Sequence, residues 1–468
     1  MLTSYQPVGF LRKEGKRHDE REKISEDEAL FIFDDGSGLS LQDACRNVFI
    51  SGQTGVGKTR TVVNPMIKNL IKNGLGGIIF DIKGSLKKDV YAIAKKIGRE
   101  KDVVEFGSSD GANATNLLNG LKMHEIGQLF EEMVKDDGVD KDNNMHWCLK
   151  GAVYATEICE MMRILSEIDE DCHFSRQFRP NLSFLYGVVN NKYLQLGFYK
   201  FFENEIKKMD AYDEKRKALK QHGMDILNNI DSNAFHILHT CEGRTDYAKD
   251  QDSMQKTWNM ERIRNKLYTI KQTRDIIDKF SSNDKDSIDI DFNDLIFQKN
   301  KIVLIHFSID CGRVSEMLSN LIKKKYYQDV INNGLNSKKY TFMIGDEFQY
   351  IVNVDEKSNL NDMDIFCISR EFKIINVIAT QNISSLLSAG KREKVLSLIG
   401  NCTTKIFMQN TDNETIEWAS RITDMGRQIK YLNRGEAIFQ SIDKNCHVIE
   451  KKISANNEYI STKNIIEQ

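Results

Sequence analysis

"FISGQTGVGKTRTVV", Phe49 to Val63, is the stretch from which the rest of this sequence is read. Residues 52–59, GQTGVGKT, fit the pattern G-x-x-x-x-G-K-[ST]. The strand-like NVFIS precedes the match and the helix-like TVVNPMIKNLIKNG follows it, the strand, loop, helix order that phosphate binding requires. A glycine-rich turn matching by chance would lack that setting. The backbone of Gly52, Thr54, Gly55, Val56 and Gly57 is placed to curl N–H groups around phosphate oxygens, and the helix N-terminus adds its positive end. Lys58 then reaches the β and γ phosphates, the Thr59 hydroxyl binds Mg²⁺, and Arg60 stands beside them as a further nucleotide-binding candidate. ATP and Mg²⁺ are the expected ligands.

Such a loop needs a second strand ending in acid, and YTFMIGDEF supplies it. Asp346 is the candidate to hold the metal's water shell, and Glu347 the candidate to polarise an attacking water. Farther on, SREFKIINVIATQN places Arg370 before a strand and Gln381 at its end, where a polar residue can sense a γ-phosphate. In GGIIFDIKGS, Asp81, Lys83 and Gly84 close another strand near the crevice where such sheets bind ligands, although a plain strand-to-helix turn explains them nearly as well. His236, His239 and Cys241 in FHILHTC have no second cluster at ligand spacing, so a structural role is expected there rather than zinc. Trp147 is expected to pack a helical core.

Working outward, short apolar β-branched runs recur in two blocks and suggest buried parallel strands. The first holds NVFIS, GGIIFD and DVVEF; the second holds KIVLIHF, YTFMIGDE, IINVIAT, TKIFMQ and EAIFQ. Helical stretches lie between them, the alternation of a doubly wound α/β sheet. Between the blocks helical periodicity dominates, as in NMHWCLKGAVYATEICEMMRIL. The expected organisation is a charged N-terminal segment over 1–45, a motor domain from 46–115 and 292–450, an all-helical insertion over 116–291 and a C-terminal tail over 451–468.

A chain of 468 residues with 40% hydrophobic and 29% charged residues is globular rather than disordered. Its net charge of -2 gives no whole-molecule pull towards nucleic acid, so any polyanion site must be local. Nine cysteines without a C-x-x-C pair, a charged N-terminus and no run of eighteen apolar residues together suggest a cytoplasmic chain that does not itself span a membrane.

Taken together, GQTGVGKT, FDIKGS, IGDEF and SREFKIINVIATQN resemble the coupling ATPases of conjugation and type IV secretion, within the FtsK/HerA group of RecA-like motors. The order and spacing match along most of the chain, and the helical segment sits where that family carries an inserted domain. The resemblance implies a RecA-like P-loop core with a parallel-rich sheet, a homo-hexameric ring, ATP hydrolysis at subunit interfaces and a channel for single- or double-stranded DNA. It implies relaxase or secretion-channel proteins as partners, and contact with the inner face of a membrane only through them. On this reading Lys58 and Thr59 bind nucleotide and Mg²⁺, Asp346 and Glu347 form the acidic pair, Gln381 senses nucleotide, and Arg370 acts as a finger across the interface. Ser85 departs from the family, which often has Glu there.

The resulting expectation is a motor delivering DNA or nucleoprotein to a transfer channel. A cytoplasmic motor of DNA processing or mobile-element defence, working with a nuclease, is the first alternative. A nucleotide-gated adaptor that binds relaxase or effector proteins is the second, and an intact Asp346-Glu347 pair counts against it.

Overall fold

A computed structural model of the chain describes residues 29–32, 38–135, 145–168, 178–229, 251–273, 276–334, 339–354, 360–442 and 448–454. His236, His239 and Cys241 lie outside these residues, as does the side chain of Trp147. Eleven strands run in chain order through them: β1 (Ala29–Ile32), β2 (Gly38–Ser40), β3 (Val48–Ser51), β4 (Gly76–Asp81), β5 (Val103–Gly107), β6 (Ile302–His306), β7 (Thr341–Asp346), β8 (Ile374–Thr380), β9 (Thr404–Met408), β10 (Glu436–Ile442) and β11 (Val448–Ser454). β1 and β2 form a hairpin, and the other nine form one sheet in the order β11-β10-β9-β3-β8-β7-β4-β6-β5.

From β9 to β5 every neighbouring pair is parallel. The residues explain this: VFIS, GGIIFD, TFMIGD and IINVIAT are buried along their whole length, as strands covered on both faces must be. Helices Asn64–Lys72 and Lys87–Ile97, with the β1–β2 hairpin, cover one face through Met66, Leu70, Val90, Leu30 and Phe31. Helices Gly312–Gly334, Asp362–Ile368 and Arg392–Gly400 cover the other through Leu318, Ile322, Phe366 and Leu398. The fold is α/β, with a mostly parallel sheet and helices on both sides.

Among the described residues between β5 and β6 lie six helices of nine residues or more: Met123–Lys135, Met145–Ile168, Leu182–Asn190, Lys192–Lys208, Glu214–Asn229 and Gln251–Lys271. A neck ties the two ends of this excursion together. The N–H of Thr115 donates to Lys279 O (2.7 Å), that of Leu117 to Phe280 O (3.0 Å), and that of Ser282 to Thr115 O (2.9 Å). Asn116, buried in the neck, donates to Pro180 O and Asn283 Oδ1. The apolar core does not stop there. One buried cluster runs from Phe80 and Phe106 in the sheet through Leu117 and Phe280 to Phe130, Ile158 and Leu185 in the helices.

Three elements differ from the sequence reading. The expected charged N-terminal segment, residues 1–45, also contains the β1–β2 hairpin, because Leu30, Phe31 and Leu39 bury themselves against the helix that follows the glycine loop. β10, grouped above with the parallel strands, pairs antiparallel with β9: the link between them, residues 409–435, does not cross the sheet and brings the chain back in the opposite direction. β11 runs into the expected tail and pairs antiparallel with β10 from Glu436↔Ser454 to Ile442↔Val448. Among the described residues no helix is long and apolar enough to cross a membrane.

One buried ion pair fixes the chain after β7. Lys323, on helix Gly312–Gly334, donates to Asp362 Oδ2 (2.8 Å) and to Ile351 O, and Asp362 also accepts from Tyr327 Oη (2.8 Å) and Asn353 N (2.6 Å). Both charges are almost fully withdrawn from solvent. Asp362→Asn should therefore lower stability by about 3 kcal/mol or more, because Lys323 loses its counter-charge and must either stay charged without it or give up its proton to remain buried. The check is a fall in the urea midpoint relative to wild type.

Candidate nucleotide-binding site

The glycine loop leaves the C-terminal end of β3 and passes close over β9. A Cβ on Gly52 would lie 2.7 Å from Met408 Cβ, so glycine is the residue that fits. Gly57 has φ +101°, in the region that glycine enters freely. The loop is pinned by Gly52 N to Thr380 O (3.3 Å), Gln53 N to Gln409 O (3.0 Å) and Gly435 N to Val56 O (2.9 Å). Lys58 is buried beneath it, with Nζ donating to Gly52 O at 2.6 Å. Burial pulls this lysine below its usual range, opposed by the charges of Glu347 and Asp346. Thr59 opens a π-type turn, Thr59–Val63, that continues as helix Asn64–Lys72, while Arg60 is exposed.

β7 places the acidic pair opposite that lysine. Asp346 is buried at the strand's end, and its Oδ1 accepts the N–H of Glu347 (3.1 Å). Burial first, then the adjacent Glu347, push the Asp346 carboxyl up to about 6, against the pull of Lys58. Glu347 turns into the left-handed region, φ 54°, which lifts its side chain off the strand line. Its carboxylate accepts from Lys83 Nζ at Oε1 (2.6 Å) and from Gln349 Nε2 (2.5 Å) and Gln381 Nε2 (3.0 Å) at Oε2. Burial works to raise Glu347, yet the Lys83 and Gln349 hydrogen bonds and the charges of Lys83 and Lys58 hold it below the ordinary glutamate value.

The turn after β4 completes the edge. Asp81 accepts the N–H groups of Ser85 (3.0 Å), Leu86 (3.0 Å) and Lys87 (2.8 Å), capping the start of helix Lys87–Ile97. The cap holds Lys83 over Glu347 and sets Ser85 Oγ 3.5 Å from Asp346 Oδ2.

Lys58, Asp346, Glu347 and Gln381 thus converge at the C-terminal ends of β3, β7 and β8. Lys83, left undecided by its sequence setting, joins them. Arg370 does not. It is exposed before the N-terminal end of β8, seven residues of strand away, roughly 20 Å from Gln381. Gln349 escaped the sequence reading altogether. Its place two residues after Glu347, beside a strand pair, was the only available signal.

The site suits a magnesium nucleotide. Among the described residues no three His, Cys, Asp or Glu side chains gather into a metal cluster. A cation at Thr59 and Asp346 would thus have few protein ligands and take the rest from phosphate and water, as Mg²⁺ commonly does. The polar atoms present, one buried carboxylate, one hydroxyl and a loop of N–H groups, fit that arrangement.

Asp346 yields a stability test. A carboxyl whose folded pKa lies above its unfolded value is penalised while charged, so the penalty is full above about pH 6 and vanishes below about pH 4. Asp346→Asn, without divalent cation, should raise unfolding free energy at pH 7.5 by about 2 to 3 kcal/mol. Urea titrations from pH 4 to 8 check both the sign and the loss of that advantage in acid.

Residues 342–429, which carry β7, β8 and β9, match the family described as the TraM recognition site of TraD and TraG. No curated protein matches the chain. The bacterial conjugative coupling protein TrwBdeltaN70, in complex with sulphate, superposes with a TM-score of 0.59 at 12% identity, covering 92% of each chain. The plasmid coupling protein TrwB in complex with ADP and Mg²⁺ gives 0.56 at 11% identity, covering 92% of this chain and 91% of that one. VirB4 of Thermoanaerobacter pseudethanolicus gives 0.50 at 13% identity, covering 92% and 97%. Residues 342–429 thus carry the matched family segment, and the chain shares the fold of these structures.

Proposed function

We propose that the chain is an ATP-driven coupling motor that delivers DNA or nucleoprotein to a conjugative transfer channel. The observation that carries this reading is the meeting of Lys58, Asp346 and Glu347 at one sheet edge, with Glu347 turned out of the strand line. In the reaction a water oxygen attacks the γ-phosphorus, its proton passes to Glu347, and the bond from the γ-phosphorus to ADP breaks, leaving ADP and inorganic phosphate. Mg²⁺, when bound, neutralises the phosphate charge. Lys58 binds the β and γ phosphates, Asp346 orients the metal's water, and Gln381, hydrogen-bonded to Glu347, reports on the γ-phosphate. The insertion, residues 116–291, chooses the partner while the sheet performs hydrolysis, and residues 342–429 receive a relaxosome protein of the TraM kind.

Arg370 supports a ring. Within its own chain it is a strand's length from the site, so it can stabilise phosphate charge only on a neighbour's nucleotide. A homo-hexamer with DNA in its channel is the assembly that the family resemblance implies.

Two experiments test this reading. Lys58→Ala should lose ATP binding, whereas Glu347→Gln should bind ATP and fail to hydrolyse it, by about a hundredfold or more. Fluorescent-nucleotide binding and phosphate release, with and without single- and double-stranded DNA, check it; wild-type turnover by Glu347→Gln would sink it. For the finger, Arg370→Ala and Lys58→Ala should each be inactive, and their mixture should recover part of the turnover, since a Lys58→Ala subunit still lends Arg370 to an intact loop. A dead mixture whose co-assembly is confirmed by native mass measurement would remove the finger.

A further inference from the structure

Glu347 is more occupied than a general base should be. A carboxylate offers about four lone-pair directions. Two donors, Gln349 and Gln381, fill Oε2, and Lys83 takes Oε1 at 2.6 Å. The one remaining direction lies on the oxygen that the ammonium already holds, and a base must reach the proton it takes within hydrogen-bond distance.

The three donors are not equivalent. Gln349 is braced by the β8 end, its Oε1 accepting from Thr380 Oγ1 at 2.9 Å. Gln381 continues β8, and its carbonyl accepts from Asn410 Nδ2 at 2.8 Å. Lys83 hangs on a long stem with 32% of its side chain exposed, against 8% for Glu347. Its backbone is nevertheless fixed. Asp81 caps the following helix with three hydrogen bonds, and Gly84, at φ 74°, passes so close to His306 that a Cβ would lie 2.8 Å from Cε1. A rigid turn thus presents one exchangeable cation to the carboxylate that hydrolysis needs.

We propose that Lys83 is a restraining clamp on Glu347, released when a phosphate oxyanion competes for its ammonium. This rests on the hydrolytic reading of Glu347 given above. With Lys83 drawn away, Oε1 is free to accept a water's proton, while the two glutamines keep the carboxylate aimed. The clamp thus holds turnover back in the nucleotide-bound chain until a further phosphate group, that of a nucleic-acid backbone, arrives at the edge formed by β4 and β7.

The full-length chain tests it through steady-state hydrolysis at saturating MgATP, with fluorescent-nucleotide binding and thermal melts measured in parallel. Lys83→Met should raise kcat without DNA about threefold to tenfold with nucleotide affinity within about twofold of wild type, and Lys83→Arg should keep the wild-type rate. DNA should stimulate the wild type and leave Lys83→Met unchanged; an equal stimulation ratio in both overturns release by a nucleic-acid phosphate. A folded Lys83→Met whose kcat is equal to or below wild type overturns the clamp while leaving hydrolysis by Glu347 standing. Wild-type turnover by Glu347→Gln overturns both.

Discussion

Parallel pairing of β3, β8, β7 and β4 is the constraint on which the site depends. The register sets Ser51 beside Thr380, Gly345 beside Ile378 and Asp346 beside Asp81, so these strands end along one edge. The glycine loop, Gln381, the acidic pair and Lys83 leave the sheet as neighbours for that reason alone. Each strand is buried on both faces, and a slip of one residue would send every side chain to the opposite face. Tight packing therefore locks the register, and the register assembles the chemistry.

Part of this was legible in the sequence because its causes are local. A loop pattern between an apolar run and a helix, and an acidic pair after another apolar run, report their own structure within a dozen residues. Strand order is a non-local property. That β8 and β7 lie between β3 and β4 cannot be read from a chain in which β4 follows β3 directly. The antiparallel edge was equally hidden, since β10 is as apolar as a parallel strand and the link before it, with helix Asn413–Ile422, is long enough for a parallel crossover. Contacts that cross the chain, such as Lys83 to Glu347 over 264 positions, leave no periodic trace at all.

Buried polar groups do a second kind of positioning. Asn47 adopts φ 66° and is buried, and it keeps that conformation because Nδ2 donates to Phe366 O (2.8 Å) and Asn401 O (3.1 Å) while Oδ1 accepts from Asn376 Nδ2 (2.8 Å). These bonds gather three chain segments at the N-terminal ends of β3 and β8. Lys323 and Asp362 do the same beyond the C-terminal end of β7, fixing Ile351 and Asn353 a few residues after Glu347. A left-handed residue such as Glu347 persists when its surroundings over-determine it, and here the segment that follows it is held by a desolvated ion pair.

The same ion pair joins the site to the helical excursion. Phe280 in the neck stacks on Phe307 after β6 (5.9 Å), and Phe292 meets Tyr326 edge-on (5.5 Å) on the helix that carries Lys323. Lys323 in turn lies 4.9 Å over the ring of Phe348, the residue after Glu347. Packing is therefore continuous from neck to acidic pair, and interiors of this density shift as blocks instead of yielding locally. Contact alone does not transmit a signal; a link of this kind needs an element with two discrete arrangements that both ends can bias. The excursion is tied in by its hydrogen-bonded neck, by Lys324 to Glu132 and by Lys325 to Asn119 O, and it shares the sheet's apolar core, so a partner that shifted its helices would act on helix Gly312–Gly334 before reaching any residue of the phosphate loop.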